Sequence, residues 1–233
     1  MTRVAAIDCG TNSVRLLIAD VEGDTLTDVE REMRIVRLGQ GVDRTGRLAP
    51  EALDRTFTAM REYAGMIRAH GAEKVRVVAT SATRDAENRA DFVAGVVDIF
   101  GVVPEVVTGD EEARLSFTGA TRELAALRPA RPYLVVDIGG GSTEFVLGAS
   151  GVETAVSMDI GCVRLTERHL KDADPPTPEQ IAATITDIDA ALATVRETVA
   201  VDEARTLVGL AGSVTTVAGI ALGLPEYDSS RIH

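Results

Sequence analysis

The chain carries the same short phrase twice. Asp8-Cys-Gly-Thr-Asn-Ser13 and Asp137-Ile-Gly-Gly-Gly-Ser142 agree at the acid, the first glycine and the serine, and each lies between two apolar, strand-sized runs. Other pairs keep almost the same offset, 127 to 129 positions: Pro50-Glu51 with Pro178-Glu179, and Val36-Arg-Leu38 with Val163-Arg-Leu165. Both Pro-Glu pairs open amphipathic stretches, with proline at a favoured first-turn position. Val77-Val-Ala-Thr-Ser81, an apolar run entering a small polar turn, is echoed by Leu207-Val-Gly-Leu-Ala-Gly-Ser213. Such a repeat restricts the fold to two copies of one β-β-β-α-β unit, each with a hairpin whose turn carries acid, glycine and hydroxyl. Two facing copies make a cleft.

Alternation and turn residues place strands at Val4–Asp8, Val14–Val21 and about Thr25–Val36. Leu53, Phe57, Met60, Ala64 and Ile67 recur at three- and four-residue steps and predict a helix over Pro50–Ala69. A buried strand at Val75–Ala79, a helix near Ala86–Phe100, a strand at Val102–Val107 and a helix from about Asp110 to Leu127 complete the first half. The best linker is Arg128-Pro-Ala-Arg-Pro132, so the domains are read as 1–128 and 129–233. After Ser213 there is room for one short helix, Val214–Leu222, but not for a further strand and helix. The second domain is therefore expected to be C-terminally short, less stable than the first, and in need of cover from a partner chain.

With 45% hydrophobic residues, 233 positions suffice for one large or two modest cores. No apolar run approaches the roughly 20 residues that span a bilayer, and Met1–Asp8 meets an acid before any signal-type core forms. A cytoplasmic protein without a membrane partner is the expectation. The net charge of −12 argues against duplex nucleic acid as a partner. An anionic ligand must then be held by local groups. Cys9 and Cys162 read as small core residues, and His70, His169 and His233, lacking zinc spacing, as surface or capping residues.

The two turns supply such groups. Glycines let a ligand approach the backbone, and successive N–H groups in a tight turn form a concave donor set suited to phosphate oxygens. Alone, Gly139-Gly-Gly141 reads equally well as an ordinary hairpin turn; the pairing with Gly10 and its neighbours favours phosphate. Ser13 and Ser142 add hydroxyl donors. Thr11 and Asn12 add side-chain donors, or simply form the turn. Asp8 and Asp137 would repel phosphate directly, so a bridging Mg²⁺ that keeps most of its waters is the reason for their presence.

Hairpin phosphate turns in duplicated domains resemble the superfamily of acetate and sugar kinases, heat-shock chaperone ATPases and actin. Within it, Ile7-Asp-Cys-Gly-Thr-Asn-Ser-Val-Arg-Leu-Leu-Ile18, Ala79-Thr-Ser-Ala-Thr-Arg-Asp-Ala-Glu-Asn88, Thr108-Gly-Asp-Glu-Glu-Ala-Arg114, Asp137-Ile-Gly-Gly-Gly-Ser-Thr-Glu144, Gly161-Cys-Val-Arg-Leu-Thr-Glu167 and Gly209-Leu-Ala-Gly-Ser-Val-Thr-Thr216 are similar to the exopolyphosphatase and guanosine pentaphosphate phosphohydrolase family. The resemblance implies an α/β fold of two duplicated actin-like (ribonuclease H-like) β-β-β-α-β-α-β-α domains around a cleft. It implies Glu112 as the base that activates water, and Glu144, on the same strand side as Ser142, as a second essential acid that binds metal or water. By the same resemblance Arg84 lies near phosphate, and Gly212 and Ser213 close the far side of the site; Arg15, two residues after Ser13 on the same strand face, is placed to reach the cleft as a phosphate ligand, and Gly140 with its neighbours forms the backbone cradle. Read locally, Asp110, Glu111 and Glu112 are also acids at a helix start, where the dipole favours them, and Arg84 is a helix-start residue.

Three function classes remain open. The first is a Mg²⁺-dependent phosphohydrolase acting on inorganic polyphosphate or guanosine pentaphosphate. The second is a kinase-type transferase, against which the Glu-Glu-Ala-Arg motif argues. The third is a non-catalytic nucleotide or polyphosphate sensor. A homodimer is a further expectation carried by the resemblance.

Overall fold

A computed structural model describes residues 1–124, 127–228 and 230–232, the side chain of Glu123 excepted; His233 and the Ala125–Ala126 end of the helix expected to reach Leu127 lie outside them. The chain divides into two compact units, Met1–Thr108 and Gly109–His233. The division falls ahead of the Arg128–Pro132 linker.

In the first unit, β1 (Thr2–Cys9), β2 (Ser13–Glu22) and β3 (Thr25–Ile35) form an antiparallel meander. A short α1 (Val42–Thr45) precedes α2 (Pro50–His70), which leads to β4 (Lys74–Ala79), parallel to β1. Then come α3 (Ser81–Asp85), α4 (Arg89–Phe100) and β5 (Glu105–Val106), giving the sheet order β3-β2-β1-β4-β5. The core is what the periodicities require: Ala5, Ile7 and Cys9 from β1 and Val14, Leu16 and Ile18 from β2 meet Leu53, Met60 and Ile67 of α2. Tyr63 of α2 is fully buried and donates its hydroxyl to the Val14 carbonyl at 3.0 Å, and burial pushes its phenol up to about 12.

Two local expectations are corrected here. The helix expected near Ala86–Phe100 is a single helix that starts at Arg89, where Asn88 is pinned to the loop before α2: its Oδ1 accepts the Leu48 N–H at 2.8 Å and its Nδ2 donates to the Leu48 carbonyl. The strand expected at Val102–Val107 pairs only at Glu105–Val106, since Pro104 has no N–H to give to a ladder.

The second unit begins with α5 (Gly109–Leu124) and repeats the plan: β6 (Tyr133–Ile138), β7 (Thr143–Gly148) and β8 (Val152–Met158) are an antiparallel meander. A short α6 (Cys162–Leu165), a π-helical turn (Thr166–Leu170), α7 (Pro178–Thr198), β9 (Thr206–Leu210) and α8 (Ala211–Ala221) follow, and β9 lies parallel to β6 in the order β8-β7-β6-β9. The sheet separates two clusters. Val135 and Val146 face Ala113 and Phe117 of α5, whereas Phe145 and Leu147 face Val195 and Val199 at the end of α7. That is why α5 belongs to the second unit: its apolar stripe is buried on β6 and β7, well before the linker.

The start of α7 is closed by a capping box, with Thr177 Oγ1 accepting the Gln180 N–H and the Gln180 side chain accepting the Thr177 N–H at 2.9 Å. Thr177→Ala should cost about 1 kcal/mol of stability, read as a shift of the urea midpoint at unchanged slope.

Among the described residues no helix is long and apolar enough to cross a membrane. Cys9 is buried as expected, and burial drives its thiol pKa upward. Cys162 is exposed instead, at the first position of the short α6.

Candidate active site

In each unit the site residues collect at one end of the sheet, beyond the carboxyl ends of the parallel strands, where open α/β sheets bind ligands. In the second unit Asp137 and Glu144 are directly opposed on β6 and β7, and Ser157 of β8 opposes Glu144 on its other side. Opposed residues share a face with Cβ atoms about 5 Å apart, so Asp137, Glu144 and Ser157 form one row. Glu144 is buried, 1% exposed, and accepts the Ser157 hydroxyl at 2.7 Å; Asp137 accepts the Ser116 hydroxyl at 2.6 Å.

Helix α5 lies along this row. Gly109 meets Ser157 so closely that a Cβ on it would sit 2.6 Å from the Ser157 Cβ, and Ser116, two turns on, bonds Asp137. Gly109, Glu112, Ala113 and Ser116 share one stripe of the helix. Glu112 therefore stands on the face that covers the acids, between the two anchoring contacts.

The glycine turn follows Asp137. Gly139 closes it by donating to the Ser142 carbonyl at 3.0 Å. All three glycine carbonyls are taken from behind by one segment: Gly139 O by the Cys162 N–H, Gly140 O by the N–H groups of Val163 and Arg164, and Gly141 O by the Gly161 N–H and by Arg164 Nε at 2.7 Å. In a trans peptide the C=O and the next N–H point opposite ways. Tying back three carbonyls thus turns the N–H groups of Gly140, Gly141 and Ser142 to the other side, as a set of donors for an anion. Gly212 and Ser213 stand at the start of α8, just past Leu210, which pairs with Asp137.

The first unit has the same turn with other side chains. Gly10 donates to Ser13 O at 3.0 Å, Asn12 O accepts the N–H groups of Val36 and Arg37, and Thr11 O accepts that of Gly39. The Val-Arg-Leu repeat itself is not equivalent in space: Val36 corresponds to Gly161 by these bonds, Arg37 is left-handed with φ 52°, and Val163-Arg-Leu165 is a helical turn. Asp8 again faces β2, but opposite it stands Arg15, with an N···O distance of 3.5 Å. Thr11 bonds Ser81 of α3 at 2.8 Å between hydroxyls, and Arg84 donates to the Val107 carbonyl at 2.9 Å.

The structure thus brings Glu112, Asp137, Gly139, Gly140, Gly141, Ser142, Glu144, Gly212 and Ser213 to one end of the second unit. It brings Asp8, Gly10, Thr11, Asn12, Ser13, Arg15 and Arg84 to one end of the first. Sequence reasoning missed Ser116, Ser157, Gly161 and Arg164. Only the last two had a signal, since they lie in the quoted Gly161–Glu167 string.

Among the described residues no group of three or more His, Cys, Asp or Glu side chains is placed to hold a metal. A two-carboxylate site suits Mg²⁺ nevertheless, because that ion keeps waters and takes one or two carboxylates together with substrate phosphates. The two opposed acids repel without a cation near them.

Two meanders extended by parallel strands, each with an acid and a phosphate-type turn, define a duplicated α/β protein of the actin-like, ribonuclease H-like fold. The chain belongs to the Ppx/GppA phosphatase family, whose model matches residues 17–229. It is 52% identical over 242 residues to exopolyphosphatase 2 of Mycobacterium tuberculosis, covering 100% of this chain and 75% of that protein. A solved exopolyphosphatase-like protein superposes with a TM-score of 0.93 at 51% identity, over 97% of this chain and 70% of the other. An exopolyphosphatase structure from Cytophaga hutchinsonii gives 0.85 at 27% identity, over 95% and 70%.

Proposed function

We propose that the chain is a Mg²⁺-dependent exopolyphosphatase, releasing orthophosphate from the ends of inorganic polyphosphate. The observation that carries this reading is the row Asp137–Glu144 at the mouth of an outward-facing N–H turn, with Glu112 on the helix face above it. The Gly140–Ser142 N–H groups hold the oxygens of the terminal phosphoryl group and stabilise its charge as it transfers. Glu112 takes a proton from water while the water oxygen bonds to phosphorus. The bond to the bridging oxygen breaks, orthophosphate leaves, and the shortened chain carries the negative charge away. Asp137 and Glu144 would hold Mg²⁺, which when bound offsets phosphate charge. Ser116 and Ser157 fix the two carboxylates. In the first unit Asp8 is engaged by Arg15, so that turn, with Arg84 near it, is fitted to phosphate oxygens more than to metal.

The test is orthophosphate release from medium-length polyphosphate, with Mg²⁺ and with EDTA, alongside guanosine pentaphosphate. Release from polyphosphate only with Mg²⁺ is expected. Preference for the nucleotide would move the assignment to a guanosine pentaphosphate phosphohydrolase, and no release from either would make the chain a sensor. Asp137→Asn and Glu144→Gln should each move the Mg²⁺ titration midpoint to higher concentration; midpoints that stay put in both variants place the metal elsewhere.

A further inference from the structure

We propose that Arg164 is a positioning residue: its guanidinium clamps the Gly141 carbonyl from behind and so fixes the Ser142 N–H toward the phosphoryl group. This rests on the phosphohydrolase reading of the site.

The turn is three glycines long, and glycine is the residue whose backbone is least restrained. Without side chains of its own to pack, it must be held from outside. Arg164 holds it twice, its backbone N–H on Gly140 O at 3.1 Å and its Nε on Gly141 O at 2.7 Å. Its side chain is only 13% exposed, and Nη2 reaches back to Asp159 Oδ1 at 3.5 Å, on an exposed carboxylate. The planar fork spans both partners at once, which a lysine ammonium on a flexible stem does not. The cation also stands behind a carbonyl whose peptide presents its N–H to an anion. Hydrogen bonds in such a chain polarise one another, so the clamp strengthens the donor on the far side. The first turn needs no such device: Asn12 O is held there by two backbone N–H groups.

The test uses Arg164→Gln and Arg164→Lys in the full chain. KM for polyphosphate should rise about ten- to a hundredfold, the range for losing a charge-assisted hydrogen bond, with a smaller fall in kcat and no rescue by lysine. A structural role alone would not alter the backbone donors. The second readout is therefore the Ser142 amide, by proton–nitrogen NMR. In the wild type its resonance shifts on titration with tripolyphosphate, and in Arg164→Gln the shift shrinks and amide exchange quickens. Should Arg164→Gln fail to fold, Asp159→Asn, which loosens the clamp from its exposed end, should move both readouts the same way by less. Unchanged KM and an unchanged Ser142 amide in a folded variant overturn the proposal. If the wild type releases no orthophosphate, the functional reading fails, and the Ser142 amide with tripolyphosphate still decides the role of Arg164.

Discussion

Glu112→Gln should lower polyphosphate turnover by about 10²- to 10⁴-fold, the span typical of removing a general base, while polyphosphate still binds. The substitution keeps the size and hydrogen-bonding reach of the side chain on a helix whose placement depends on other residues. Gly109 against Ser157, Ser116 on Asp137, and the buried Ala113 and Phe117 hold α5 in place without Glu112. The fold should therefore be indifferent, and the loss should fall on kcat with little change in KM. Turnover near the wild-type value would take Glu112 out of the chemistry and leave it as one of three acids at a helix start.

Gly161→Ala tests the turn by a different route. Gly161 has φ −75° and ψ 158°, a conformation open to every residue, so no backbone strain is created. An added methyl group would instead run into the backbone of Gly140 and Gly141. Backbone cannot swing aside as a side chain can, so the turn itself must shift. Displacements of about 1 Å at a phosphoryl site cost on the order of 10²-fold in rate, and that loss is the expected result. The control is Gly65→Ala in α2, where a Cβ meets nothing within 4 Å; activity there should be unchanged. Wild-type activity in Gly161→Ala would show that the turn is not the site of transfer.

What the sequence exposes and what it hides differ by range. The two hairpins were readable because their acids, glycines and serines sit within a few positions of one another, and alternation marks the strands on either side. The helix over Pro50–His70 announced its buried face through Leu53, Met60 and Ile67, which recur at its own period. Ownership of α5 was not readable. Its apolar stripe shows that Ala113 and Phe117 are buried, but not which sheet buries them, and the Pro-containing linker after it drew the boundary to Arg128. The roles of Ser116, Ser157 and Arg164 were hidden for a related reason. Each acts on a partner 13 to 23 positions away, through contacts that exist only once strands are in register. The matching Val-Arg-Leu triplets were misleading, because identity of letters survived while the backbone took different paths.

On the proposed reading the second turn grips phosphate with peptide N–H groups, which constrains how substrate preference can change. Peptide donors sense only an oxygen at the right distance, and a terminal phosphoryl group offers the same oxygens whether it ends a polymer or a nucleotide. Discrimination must therefore be written in side chains outside Gly139–Ser142. On that reading, substitutions at the periphery should change which phosphorylated compound is accepted while the reactive centre is left untouched.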